Sequence, residues 1–525
     1  MSRVKNIARG LMSGYAVIGA SVLLTMASVP LALKYLSKEE FGLWAVVSQI
    51  AGYLNLVDLG MSSSIGRLLI DYKEARGAAY GSMVKTGFLV LLSQGVIVAL
   101  VGLSLAYIPP AFLGIPDSLH TAFFGLLVGQ ALLMGAGFPM RIYGHLLYAH
   151  QRLDIINYGQ VAQFAVQLPA MWVAFAFGAG VYGQLIGAVA GTITSYLMCV
   201  GVCLHLGFWP KSHEWSPFSR QKFFEIFGYG ADMFAVSLGS QLINSSQTIL
   251  ASRLFGVNLA AVWSVATKAF NLVFQFVWRI WAAAVPAFSE MQAQGDETRI
   301  RTRYQGMFVL VTTLGAVAAV AFAVCNGPFL AVWTNGKIGW ASQNNWLLGL
   351  WLILLAQVSG HGSLIMSLKR IRALKFIYFA EGMIFVLACL ALSGWGGFSV
   401  FLLCSIVCTS LFTFAYSTWR IAGLMHVPVM RVLIGWQKPM LMVLAWLIPL
   451  GVLLQWSTQS WPLLLQLAVR VTITGLAGAI LFLRYGLSVE WVERVRGHLP
   501  GLVRLWFVRI ARAVAPNPRQ KAGEV

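Results

Sequence analysis

Lys268, Arg279 and Arg470 are cations set in stretches of chain that are otherwise apolar, and Asp58 and Asp232 are carboxylates in the same situation. Charge at bilayer depth is costly, so such side chains face a bundle interior or a wet cavity and mark a path for ions or charged cargo. An ammonium attracts an anion as a point charge, whereas a guanidinium grips it with parallel N–H bonds. Lys268 and Arg279 are eleven residues apart, close to three helical turns, so they share one helix face. That arrangement offers reversible capture of a negatively charged group. Pairing with an acid is the plain alternative for Lys268, and snorkelling to the headgroups is the alternative for Arg279. Asp58 or Asp232 could neutralise Arg279 as a gate, or carry a coupling proton or sodium ion, or sit in a fixed ion pair. Gln241, Asn244 and Thr248 form a polar stripe at helical spacing, suited to the hydroxyls of a cargo or to hydrogen bonds between helices.

The elements that must position these groups are membrane helices. The 525-residue chain is 58% hydrophobic and only 10% charged, against roughly 25% charged in soluble domains. Fourteen apolar stretches alternate with short polar links, and about 20 apolar residues suffice to span a bilayer. Asp58 falls in the stretch 41–65, Asp232 and the polar stripe in 226–252, Lys268 and Arg279 in 259–285, and Arg470 in 461–483. Of the 37 Lys and Arg, thirty lie in the N-terminal leader, the even-numbered links or the C-terminal tail. Cytoplasmic links collect basic residues, so both termini are expected in the cytoplasm. The first apolar run, Leu11 to Leu36, exceeds a signal-peptide core and reads as a spanning helix. Lys268 then sits roughly 13 Å from the external end of its helix, too deep to snorkel easily.

Several function classes are excluded or disfavoured. The net charge of +20 is spread over alternate links, whereas a nucleic-acid binder gathers its basic residues on one soluble face; contact with anionic membrane lipids explains it better. The six cysteines all lie in apolar stretches and read as small buried fillers, with no disulfide framework and no metal cluster. His361, in Gly360-His361-Gly362, is isolated and is placed at a kink; Glu381, one or two turns inside its stretch, is placed at the interface. No nucleotide-binding loop of the Gly-x-x-x-x-Gly-Lys-Ser/Thr type is present. No cofactor is expected beyond a proton or sodium ion.

The chain also repeats. Tyr35 to Trp44 can be laid on Leu254 to Trp263 with a shift of 219, and the same shift carries Ser21, Thr25 and Ser28 onto Ser240, Asn244 and Gln247. Both copies begin on the same side, which makes the repeat parallel. The resulting division is a six-helix bundle over 1–210, a second over 211–425, two additional helices over 426–483, and a basic tail over 484–525. In the tail, Val492 to Ile510 show the spacing of an amphipathic surface helix.

The run Leu56-Val57-Asp58-Leu59-Gly60-Met61-Ser62-Ser63-Ser64-Ile65-Gly66-Arg67 resembles the Asp-Leu-Gly segment of the Wzx-type polysaccharide biosynthesis transporters, the O-antigen flippases. Ser252-Arg253-Leu254-Phe255-Gly256 through Pro286-Ala287-Phe288-Ser289-Glu290-Met291 resembles their middle region, with Trp263 where the family often has Tyr and Lys268 at its basic position. The resemblance covers roughly the first 420 residues. It implies the multidrug/oligosaccharidyl-lipid/polysaccharide exporter fold, all-α with about fourteen transmembrane helices. It also implies a bacterial inner-membrane location, an undecaprenyl-pyrophosphate-linked oligosaccharide as cargo, and a place in lipopolysaccharide synthesis beside a glycan polymerase and chain-length machinery. In relatives with extra helices these form a groove for a lipid tail, whose polar end Arg470 would mark. The expected protein is a transporter and no enzyme: the pyrophosphate meets Arg279 and Lys268, and the sugars rest on the polar stripes. A multidrug exporter of the same fold is the first rival, and it calls for an acidic cavity. A membrane glycan polymerase or ligase is the second, and it calls for a large external loop carrying Arg or His.

Overall fold

Inside a bilayer core every backbone N–H and C=O needs a partner, which a helix supplies within one segment. The computed structural model describes residues 3–73, 77–244, 246–368 and 373–487, and among them it is helical with no strand. The expected amphipathic run Val492 to Ile510 lies outside the described residues. By internal contacts the chain divides into two units, Met1–Val265 and Ala266–Val525.

The first unit holds α1 (Arg3–Tyr35), α2 (Lys38–Leu54), α3 (Met61–Tyr72), α4 (Ala78–Ala106), α5 (His120–Ala149), α6 (Leu153–Ala176), α7 (Tyr182–His205), α8 (Arg220–Asn244), α9 (Ser246–Phe255) and α10 (Val257–Ala266). Lipid offers no hydrophobic drive for helix pairing, so close packing depends on small residues. α6 and α7 meet along Gly183, Gly187 and Gly191; a Cβ on Gly191 would lie 2.6 Å from the Gln163 carbonyl oxygen. α4 and α5 cross where Gly95 faces Gly135, and a Cβ on Gly95 would lie 2.3 Å from the Gly135 oxygen.

α2 begins at Lys38 and α10 at Val257, the expected 219 residues apart. These equivalent starts touch: Asn258 Nδ2 donates to Glu39 Oε1 at 3.0 Å, again 219 apart. Gly42 is bare here because a Cβ would lie 2.1 Å from the Val257 oxygen. Ser37 and Glu40 close a reciprocal capping box at the α2 start.

The second unit holds α11 (Lys268–Ala293), α12 (Glu297–Trp333), α13 (Ser342–Ser367), α14 (Leu374–Leu392), α15 (Gly397–Thr409), α16 (Ala415–Leu424), α17 (Lys438–Ser457) and α18 (Leu463–Leu481). Its core is aromatic: Trp281, Tyr304, Phe308 and Trp436 pack together with Phe288. α17 docks on α12 through Val320, Val324, Val443 and Leu447, and α18 packs on the same cluster with Ala477 and Leu481.

The protein is a multi-pass membrane protein. Ten described helices are long and apolar enough to cross a membrane, or eleven if α10 and α11, broken at Thr267, are taken as one span. Fourteen were expected, and the difference falls on four stretches. Two of them, α2–α3 and α10–α11, are interrupted helices, and the third holds α8 and α9 on either side of residue 245, which lies outside the described residues. The fourth, α6, is continuous but carries Asp154, Asn157, Gln160, Gln163 and Gln167. The two interrupted stretches carry Asp58, Lys268 and Arg279. Broken helices at membrane depth persist where they are buried in protein or line a water-filled cavity.

Replacing Gly191 by Leu should prise α7 from α6 and lower stability by about 1–3 kcal/mol. Gly201→Leu, on the same helix but with open space around its Cβ position, should be near neutral. Thermal unfolding of the purified protein in detergent checks the pair.

Candidate functional site

The Asp-Leu-Gly segment builds a repaired break between α2 and α3. After Leu54 the chain makes one tight turn, Asn55–Asp58. Leu59 (φ 49°) and Gly60 (φ 73°) are both left-handed. That conformation strains a side-chain-bearing residue such as Leu59 and suits Gly60. The freed carbonyls of Val57 and Asp58 accept hydrogen bonds from Gln94 Nε2 on α4, at 3.1 and 2.7 Å. The Asp58 carboxylate accepts from the Ser62 backbone N–H at 3.3 Å and from the Ser62 hydroxyl. It thereby caps α3, where the helix dipole favours negative charge.

The cation beside Asp58 is Arg141. Its Nη1 lies 3.8 Å from Asp58 Oδ1, its Nη2 donates to Asn55 Oδ1 at 2.9 Å, and its guanidinium sits 3.8 Å from the Phe138 ring centroid. From the sequence, either Asp58 or Asp232 could neutralise Arg279, and Arg141 opens the link 141–152 after the apolar stretch 119–140. In the structure α5 runs on to Ala149 and carries Arg141 within it.

Gln241 on α8 donates from Nε2 to the Gly52 carbonyl of α2 at 2.9 Å, the kind of helix–helix bond weighed against a cargo role. Thr248 on α9 is buried. The side chains of Asp232 and Asn244 lie outside the described residues.

In the second unit, α11 starts at Lys268, directly after the break at Thr267. Phe270, Val277, Trp281 and Phe288 form its buried face. Trp281 fixes the helix rotation by donating from Nε1 to the Ala356 carbonyl at 3.2 Å. It fits there because α13 has Gly360, whose Cβ would fall 2.4 Å from the indole. Residues 268, 271, 275 and 279 follow at spacings of 3, 4 and 4 on a different face from this anchor. Lys268 is partly buried, and Asn271, Gln275 and Arg279 are exposed. Among the described residues no hydrogen bond or ion pair holds Lys268 or Arg279. The result is a polar stripe about 16 Å long with a cation at each end. Asn271 and Gln275 were not singled out from the sequence, although their spacing from Lys268 was readable there.

Arg470 is buried, and its guanidinium donates to Thr458 Oγ1 at 2.8 Å, the Gln455 carbonyl at 3.2 Å and the Val324 carbonyl at 3.3 Å. These bonds tie α18 to α17 and α12. Glu381 is buried inside the protein. It accepts from Thr409 Oγ1 at 2.9 Å and from the Thr413 N–H at 3.2 Å, where a wide π turn, Ser410–Phe414, joins α15 to α16. His361 is fully buried within α13. Its Nδ1 is 2.5 Å from the Tyr304 hydroxyl and its ring stacks on Phe308. Among the described residues no three His, Cys, Asp or Glu gather as metal ligands.

The polysaccharide biosynthesis protein family matches residues 7–292, just over half of the 525-residue chain. No curated protein matches the chain in sequence. Among solved structures, the lipid II flippase MurJ in an inward closed conformation aligns with a TM-score of 0.67 and 13% identity, over 90% of this chain and 98% of that one. An inward-facing multidrug resistance MATE family transporter of the MOP superfamily aligns with a TM-score of 0.61 and 14% identity, over 76% of this chain and 95% of its own. A MOP superfamily transporter from Pyrococcus furiosus aligns with a TM-score of 0.51 and 15% identity, over 80% and 96%. At these identities the likeness is one of fold. By its sequence match the chain belongs to the polysaccharide biosynthesis protein family, and it is built on the fold of the MOP superfamily transporters.

Proposed function

We propose that this protein is a flippase that carries a lipid-linked oligosaccharide, joined through pyrophosphate to a polyprenyl chain, from the cytoplasmic to the periplasmic leaflet of a bacterial inner membrane. The observation that carries the reading is the α11 stripe. Its two end cations have no described partner, and a cation at the bilayer centre, near which the sequence places Lys268, costs about 2.5–3.5 kcal/mol. Such a cost is tolerated where water and a charged cargo meet the side chain. The pyrophosphate engages Arg279 and then Lys268, and the amides of Asn271 and Gln275 offer donors and acceptors to sugar hydroxyls. The family match supports a role in polysaccharide synthesis, and the fold shared with a lipid II flippase supports a transporter.

In this reading both termini are cytoplasmic, the polyprenyl tail stays in lipid, and Arg470 fastens the α17–α18 pair that flanks it. A negative cell interior favours outward movement of the anionic headgroup by about 2.3 kcal/mol per charge per 100 mV. A proton or sodium ion, taken up at Asp58 or Asp232, resets the carrier. A glycan polymerase with its chain-length machinery takes the product. Multidrug export is the second reading, favoured by the MATE structural likeness. It asks for acidic residues facing a cationic drug, and the α11 stripe is basic.

Lys268→Ala should slow flipping of a fluorescent polyprenyl-pyrophosphate disaccharide in proteoliposomes at least tenfold, with unchanged protein in the membrane; near-normal transport removes Lys268 from the site. The Asn271→Ala/Gln275→Ala pair should slow the disaccharide several-fold and leave binding of sugar-free polyprenyl pyrophosphate intact. Equal loss for both ligands would assign the amides to folding and not to the glycan. Export of cationic dyes by the wild type, with no flipping, would select the drug reading.

A further inference from the structure

Three arginines of the chain can be set side by side. Arg470 has its guanidinium filled by three acceptors and is only 6% exposed. Arg279 is exposed and has no described partner. Arg141 stands between these cases. Of its five N–H donors, one described bond uses Nη2, to Asn55. Asp58 stands 3.8 Å from Nη1, beyond hydrogen-bonding range. The side chains of Arg141 and Asp58 remain 30% and 19% exposed, so a ligand can reach both.

Asp58, for its part, does not depend on Arg141. Its oxygens are held by the Ser62 N–H and hydroxyl, and its backbone is held by Gln94. Removing the guanidinium would leave the carboxylate capped at the α3 N-terminus. The pair is therefore a loose contact between two groups that are each positioned by something else: Asp58 by the helix break, Arg141 by Phe138 and Asn55.

We propose that Arg141 is a second anion-binding residue, for a phosphate or pyrophosphate ester, and that Asp58 is an internal competitor which occupies it until the ligand arrives. A phosphate presents oxygens at the spacing a guanidinium fork takes bidentately, a closer fit than the 3.8 Å approach of Asp58. On binding, the phosphate replaces the carboxylate and Asp58 keeps its Ser62 bonds. On release, Asp58 restores neutrality, so the empty protein does not hold the anion too tightly. The inference rests on the flippase reading for the source of the phosphate, but its geometry lies wholly within the first unit.

The test measures binding to the full-length protein in nanodiscs, with farnesyl pyrophosphate as the lipid-linked probe and inorganic pyrophosphate as the free one. Asp58→Asn keeps an oxygen for Ser62 and removes the competing charge; it should tighten farnesyl pyrophosphate about tenfold. Arg141→Gln should weaken it about tenfold. In the Arg141→Gln background, Asp58→Asn should add nothing. Tightening that persists there would reduce Asp58 to a general field effect and overturn the exchange, as would no change in either single variant. If Lys268→Ala weakens binding while the Asp58 and Arg141 variants do not, the exchange fails and the flippase reading stands. If the wild type binds neither probe, both fail. The exchange acting equally on inorganic pyrophosphate would make the site one for free phosphate and not for a lipid headgroup.

Discussion

A bilayer core offers no water to an unpaired carbonyl or an isolated charge, and most features of the candidate site answer that constraint. Where α2 breaks, Gln94 takes the two freed carbonyls and Asp58 caps the helix that follows. Where Arg470 is buried, three oxygens surround it. Against this background of repair, the groups left without described partners carry the information. Lys268 and Arg279 lie on one side of α11, and a cation at bilayer depth is costly unless it meets water, headgroups or an anion.

Rigid packing makes that arrangement usable. Trp281 sits in the space left by Gly360 and bonds to the Ala356 carbonyl, so α11 cannot rotate its stripe away. In the first unit the glycines of α4, α5 and α7 bring backbones into contact. That contact holds α4 and α5, and with them Gln94 and Arg141, at fixed positions beside the break. The starts of α2 and α10, 219 residues apart, meet at Glu39 and Asn258.

Hydropathy made the uniform helices legible. α4, α12 and α13 need nothing beyond local composition, and the shift of 219 was visible in Tyr35–Trp44 and Leu254–Trp263. The interrupted helices were read as plain spans, because apolar length says nothing about the left-handed backbone at Leu59. The charged candidates at those breaks were found all the same, since a charge in an apolar run stands out whatever the backbone does. What stayed hidden is pairing at long range. Arg141 was assigned to a link because it follows the apolar run, yet α5 continues through it and brings it to an aspartate 83 residues earlier. The partners of Glu381 and His361 stayed hidden for the same reason: Thr409, Thr413 and Tyr304 come from other helices.

The account depends on the start of α11 facing water at membrane depth. With the six native cysteines replaced, Lys268→Cys can be treated with a charged, water-soluble thiol reagent in intact proteoliposomes. The account predicts that the thiol reacts within minutes and that farnesyl pyrophosphate slows the reaction. A thiol that stays unmodified until the protein is denatured would contradict it.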